Sequence, residues 1–206
     1  MEDRAASVPL FPLGLVLLPH EVVPLHIFED RYKLMIGNCL EHESEFGIVW
    51  LSDDGLREIG CSARVSQVLD RMDDGRMNIL ARGERPFRLV RRIEDLPYPA
   101  GEVEFLDDDE EEPDPELLAE AHDRYADLVE QVTDERPGGQ ELAGLGAYGM
   151  AATIELSPAP KQALLEERSE SARLRVVAEL FELAQQRIEQ AERTSELARS
   201  NGKVRL

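Results

Sequence analysis

The sequence predicts an α+β fold: an N-terminal pseudo-barrel β lobe with one inserted helix, then a C-terminal α-helical bundle ending in a long helix. Three observations predict it. Apolar residues alternate with period two through most of the first 106 residues. They recur at intervals of three and four over residues 28–40, and again after residue 116. An acidic, proline-containing run separates the two regimes. Side chains alternate across a strand but repeat every 3.6 residues around a helix, so a change of period marks a change of secondary structure.

Val8-Pro9-Leu10-Phe11 and Leu15-Val16-Leu17-Leu18 read as short strands broken by Pro12, Gly14 and Pro19. Val22, Val23 and Leu25 follow, cut by Pro24. Proline has no N–H to donate to a ladder, which assigns these segments to sheet edges and strand starts. Phe28, Tyr32, Met35, Ile36, Cys39 and Leu40 then make one helical stripe. Glu29 and Asp30 open that helix, setting negative charge against the positive end of its dipole for ~0.3–1 kcal/mol. Phe46–Leu51 is a buried strand ending at Ser52-Asp53-Asp54-Gly55. Cys61, Ala63 and Val65 share one face of the next strand, Asp73-Asp74-Gly75 makes a hairpin turn, and Met77, Ile79 and Ala81 line the return. Phe87, Leu89 and Ile93, then Val103 and Phe105, repeat the alternation. Six to eight short strands with turns between them make a small barrel-like sheet.

Asp107–Glu112, followed by Pro113-Asp114-Pro115, is a solvated linker of mutually repelling charges. The expected organisation is a β lobe over 1–106, a linker over 107–116 and a helical lobe over 117–206. Asp114 caps the first helix of the second lobe, with Pro115 in its first turn, and Leu117, Leu118, Ala121, Tyr125, Leu128, Val129 and Val132 form its stripe. Pro137-Gly138-Gly139 ends it. A glycine-rich helix is predicted over Leu142–Leu156, with Leu142, Leu145, Ala152 and Leu156 inward, and a short one after Ser157-Pro158. The last helix carries Leu174, Val177, Phe181, Ala184 and Ile188, after which the stripe thins to Ala191 and Ala198.

Charge narrows the partners. Forty-three acidic residues against 23 basic ones leave the 206-residue chain at −20. Such a surface repels phosphate backbones and anionic bilayers, which excludes nucleic acid and membrane as expected partners. The hydrophobic share of 42% suits a globular protein, and no apolar run is long enough to span a bilayer. Met1-Glu2-Asp3-Arg4 lacks the basic-then-apolar pattern of a secretory signal, so a cytoplasmic location is expected. Cys39 and Cys61, outside any C-x-x-C pair, read as buried small hydrophobes.

Catalytic and cofactor motifs do not emerge. Gly144-Leu145-Gly146-Ala147-Tyr148-Gly149 spells G-x-G-x-x-G, but no strand precedes it to present a helix N-terminus to a pyrophosphate. There is no P-loop, G-x-S-x-G or H-E-x-x-H, and His20, His26, His42 and His122 have no ligand spacing. No catalytic residue, metal or cofactor is assigned. His26, between Leu25 and Ile27, reads as structural. Arg82-Gly83-Glu84-Arg85 and Arg88–Arg92 are the one basic concentration; on a strand Arg88 and Arg92 would share a face, Arg91 pointing oppositely. This reads as neutralising the surrounding acids, with a local docking patch as the alternative.

Pro9-Leu10-Phe11-Pro12-Leu13, Pro19 and Pro24-Leu25-His26-Ile27-Phe28-Glu29-Asp30-Arg31-Tyr32 closely resemble the N-terminal substrate-binding (LON) domain of ATP-dependent Lon proteases. Phe46–Val49, Ile59–Ala63, Gly83–Leu89, Tyr98–Val103 and Lys161–Glu166 agree in order, so the resemblance covers nearly the whole chain. It implies a barrel-like lobe followed by a helical one, and a domain that helps select protein substrates. Phe28, Glu29, Arg31, Tyr32, Arg82, Arg85 and Phe87 are the peptide- or partner-contact candidates. Phe28 and Tyr32 also belong to the helical stripe, and Glu29 and Arg31 can pair locally. A complete Lon protease continues into an ATPase and a serine–lysine protease domain, and neither motif set is present. A stand-alone LON-domain protein is therefore expected: non-enzymatic, binding unfolded or extended polypeptide in a groove between lobes or on a strand edge. Two further readings accompany it. One is a small-ligand or enzymatic pocket between the lobes. The other is an adaptor for a separate protease or chaperone, with the C-terminal helix as tether or as a surface for self-association.

Overall fold

A computed structural model describes residues 6–201, excepting the side chains of Glu192 and of residues 195–201. The readings placed on Met1–Arg4 and on the Ala198 side chain lie outside the described residues. In chain order the elements are β1 (Ala6–Leu13), β2 (Val22–Ile27), α1 (Asp30–Glu41), β3 (Phe46–Ser52), β4 (Gly55–Arg71), β5 (Met77–Ile93), β6 (Ala100–Phe105), α2 (Pro115–Thr133), α3 (Gly139–Leu142), α4 (Ala147–Ala151), α5 (Pro158–Glu166) and α6 (Glu170–Asn201). They sort into two compact units, one running to Glu110 and taking in Tyr148–Ser169, the other holding Glu111–Ala147 and the segment from Glu170 on.

In the strand-rich unit the order is β2-β5-β4-β3-β1-β6, and a β5–β6 pairing closes β5, β4, β3, β1 and β6 into a ring. β1 and β3 run parallel, with Leu10 opposite Gly47; the other pairs are antiparallel. The alternation read from the sequence fills the ring: Val8, Leu10, Val49, Phe87 and Val103 form one buried cluster. Phe11, on the opposite face of β1 from Leu10, meets Tyr32 of α1 at 4.2 Å between ring centroids and Phe46 at 6.5 Å. Tyr32, Met35, Ile36 and Cys39 are the buried side of α1. Met35 and Ile36 are fully buried, each stabilising by about 1.5–3 kcal/mol relative to exposure.

Among the described residues the strands are six, and two are long rather than short. β4 and β5 have 17 residues each and stay paired through three register shifts. Their turn is the predicted one, Gly75 taking φ +83°, where an L side chain would be strained. Leu15–Leu18 is not a strand. Val16, Leu17 and Leu18 are buried in irregular backbone, and the Leu18 N–H donates to Glu21 Oε2 at 2.9 Å instead of to a ladder. Glu21 in turn pairs with Lys161 of α5, both side chains about 10% exposed. Gln162, next along α5, donates to the Ile59 carbonyl at 3.1 Å, and the Tyr148 hydroxyl donates to the Leu164 carbonyl at 3.0 Å. These bonds hold α5 on the strands. Arg168 Nε donates to the Asp107 carbonyl at 2.8 Å, tying down the start of the acidic run.

In the helical unit α2 and α6 pair, with the Tyr125 and Phe181 rings 5.7 Å apart and Arg124 bridging Glu120 and Glu182. Asp114 caps α2 by accepting the Glu116 N–H at 2.9 Å, and its own N–H donates to Ser171 Oγ at 2.9 Å. Val132 departs from the predicted stripe and is 66% exposed near the end of α2. The predicted glycine-rich helix over 142–156 is two short ones, α3 and α4, with Gly144 and Gly146 between them. Glu170 receives the Ala147 N–H at 2.7 Å and the guanidinium of the buried Arg173. Leu142, Leu145, Ala152 and Leu156 are half-buried as a result, the buried residues being Ala147, Tyr148, Met150 and Ala151. Ala191 is exposed where the α6 stripe thins. No helix among the described residues is long and apolar enough to cross a membrane.

Candidate functional site

The strand-rich unit carries a groove of about 660 Å³ where the end of β1, the strand β2 and the start of α1 come together. Two prolines help to open it. β6 pairs with β1 only over Ala6–Pro9, and Pro12, further along β1, has no N–H to recruit another partner. β2 is the outer strand, pairs with β5 alone and carries Pro24 in its middle. Phe11, Leu25, Ile27 and Tyr32 are the buried part of the lining; Phe28 and Leu51, 58% and 52% exposed, are its open apolar part.

The polar lining is sparse. Glu29 Oε2 accepts from Arg31 Nε at 2.9 Å, and the Arg31 guanidinium lies 4.6 Å from the Tyr32 ring centre. His26 Nδ1 and Asn78 Oδ1 are 2.6 Å apart, and the imidazole stacks on Phe28 with centroids 5.7 Å apart. Burial pushes the Tyr32 phenol above its usual pKa; Arg31 opposes that shift and Glu29 adds to it. The lining holds no Ser, Thr, Cys or Lys. Among the described residues, no three His, Cys, Asp or Glu side chains are grouped to hold a metal.

Of the residues singled out in the sequence, Phe28, Glu29, Arg31 and Tyr32 meet in this groove, while Arg82, Arg85 and Phe87 lie outside it. Phe28 precedes α1 and is exposed, so it is no part of the helical stripe. Phe87 is fully buried inside the ring and is withdrawn as a surface contact. Arg85 stacks over Phe105 at 3.7 Å, and Arg82 is exposed in the β5 ladder between Val22 and Arg64. His26 is exposed, because on an outer strand its alternate position faces solvent, and its imidazole is engaged by Asn78 of the neighbouring strand. Arg88 and Arg92 line different hollows, since the ladder shifts between Leu89 and Arg91.

Residues 7–182 match the family model of the ATP-dependent protease La (LON) substrate-binding domain. The chain belongs to that family. The Lon protease of Paraburkholderia phytofirmans is 28% identical over 175 residues, covering 73% of this chain and 21% of that protein. For the Lon protease of Anaeromyxobacter dehalogenans the figures are 27% over 206 residues, 87% and 23%. This LON domain thus spans between a fifth and a quarter of the length of these curated relatives. Among solved structures, a Lon N-terminal domain protein from Xanthomonas campestris superposes with TM-score 0.63 at 29% identity, covering 82% of this chain and 95% of that one. The N-terminal domain of the Mycobacterium avium complex Lon protease gives 0.64 at 24% identity over 86% and 98%, a likeness of fold.

The segments that signalled the LON family supply much of the groove: Phe11–Leu13 and Pro24–Phe28 line it, with Glu29, Arg31 and Tyr32. Leu56 was not singled out, and Leu51, Arg92 and Pro99 entered only as a strand end, part of the basic run and part of a family segment, not as groove residues. Leu51 carried a usable signal, an apolar residue at the strand end beside the turn. Arg92 carried none that a regular alternation could read.

Proposed function

We propose that this LON domain is a non-enzymatic recognition module that binds extended polypeptide segments in the groove between β1, β2 and the start of α1. The observation that carries this reading is the pairing of an apolar lining with the outer strand β2. A segment laid along β2 would add main-chain hydrogen bonds, which tolerate many sequences, while Phe28 and Leu51 would take alternate apolar side chains. Membership of the substrate-binding domain family supports a polypeptide occupant. The lack of a hydroxyl, thiol or amine nucleophile on the lining, apart from the tyrosine phenol, favours binding over covalent chemistry. In this reading the domain holds clients for a separate protease or chaperone. Fluorescence anisotropy of labelled unfolded-protein peptides tests it. Saturable micromolar binding, weakened by F28A, is expected; no binding across a broad peptide set would end it.

A further inference from the structure

We propose that the groove takes the free C-terminal end of an apolar polypeptide, with the Arg92 guanidinium pairing its terminal carboxylate. This rests on the peptide-binding reading above and names the kind of segment that fits.

The charges on the lining point to it. Glu29 and Arg31 neutralise each other at 2.9 Å, and His26 is engaged by Asn78 at 2.6 Å. Arg91, the sequence neighbour of Arg92, is taken by Glu102 through Nε at 3.2 Å and a second, shorter bond. Arg92 lines the groove and has no acidic partner among the described residues. The lining is therefore apolar with one uncompensated positive charge.

The position of Arg92 is built into the sheet. Its backbone pairs with Gly101 of β6, just past the shift in the β5 ladder. A side chain on Gly101 would run into Leu89 and stand 3.0 Å from the Arg91 carbonyl, so only glycine lets the strands approach here. The planar guanidinium fork matches the two oxygens of a carboxylate.

Charge also selects the source of that carboxylate. A chain at −20 repels an occupant rich in Asp and Glu. An apolar chain end brings a single negative charge and no more, and its preceding side chains fit Phe28 and Leu51.

The test uses the full chain and three labelled apolar peptides of one sequence: a free acid, a C-terminal amide, and an amide with an internal Asp near its end. At low salt the free acid is expected to bind about tenfold more tightly than either amide. R92Q should bring the free acid down to the level of the amide, and R92K should recover part of the difference. Equal affinity of acid and amide would overturn terminal capture while leaving groove binding standing. An Asp-containing amide matching the free acid would overturn it in favour of a side-chain carboxylate, and an acid–amide difference surviving in R92Q would overturn the role of Arg92. If none of the three peptides binds, the peptide-binding reading fails as well.

Discussion

The Lys161 ammonium donates to Glu21 Oε1 although the two residues are 140 positions apart and each side chain is about 10% exposed. The other oxygen of Glu21 accepts the Leu18 N–H, so one carboxylate anchors both α5 and the buried irregular segment ahead of β2. Replacing one partner leaves a buried charge uncompensated. K161M should therefore cost about 3–5 kcal/mol in urea unfolding. The double variant E21M/K161M should regain most of that loss, keeping a deficit of about 1 kcal/mol for the orphaned Leu18 N–H. A double-mutant cycle with no coupling between the positions would contradict this.

Phe28 and Phe87 should behave in opposite ways. F87A empties the centre of the ring and is expected to cost about 3–5 kcal/mol in denaturant unfolding. F28A removes an exposed ring and should shift stability by no more than about 0.5 kcal/mol. Its effect should fall on peptide affinity instead, a loss of about tenfold in anisotropy titrations, as for a central aromatic anchor.

Alkali should destabilise the strand-rich unit in two stages. Burial raises the Cys61 thiol well above its ordinary 9.0 and the Tyr32 phenol above 10.0. Each folded form holds its proton longer than the unfolded one, so stability is full below the unfolded pKa and is lost as pH rises through the folded value. Thermal midpoints should begin to fall near pH 9. Burial raises the Cys39 thiol as well, so C61A should make the fall shallower and C39A/C61A should move its onset towards pH 10, where tyrosine remains. An unchanged onset in the double variant would remove the thiols from the account.

The cap of α2 offers a local test in the helical unit. Asp114 accepts the Glu116 N–H, and D114A should cost about 1 kcal/mol. Faster amide exchange in the first turn of α2, with the strand amides unaffected, is the expected signature.

The ring was legible because Val8, Leu10, Val49, Phe87 and Val103 alternate regularly, and burial on one face of a strand demands period two. α1 and α2 were legible from spacing and from the acidic residues at their starts. The misreadings share a cause: a side-chain carboxylate serves backbone that regular secondary structure would otherwise satisfy. Leu15–Leu18 looks like a strand, but the Glu21 carboxylate satisfies backbone that a ladder would otherwise serve. The segment at Gly144–Gly149 looks like one helix, but the Glu170 carboxylate takes the Ala147 N–H after the break. Half of the groove was readable from the block ending at Tyr32. Leu56, Arg92 and Pro99 were not, because only ring closure and a shifted ladder bring them beside β1.

The chain leaves the strand-rich unit after Glu110, returns for Tyr148–Ser169 and departs again. A gene fragment ending at residue 110 would encode all six strands yet lack Lys161 and Gln162. It would leave Glu21, immediately before β2, without its Lys161 partner and uncover the apolar surface that Leu164 and Leu165 of α5 cover, and the product should aggregate or swell. Dissecting this protein into working halves therefore calls for splicing the returning segment back on through a designed connector, not for a single cut.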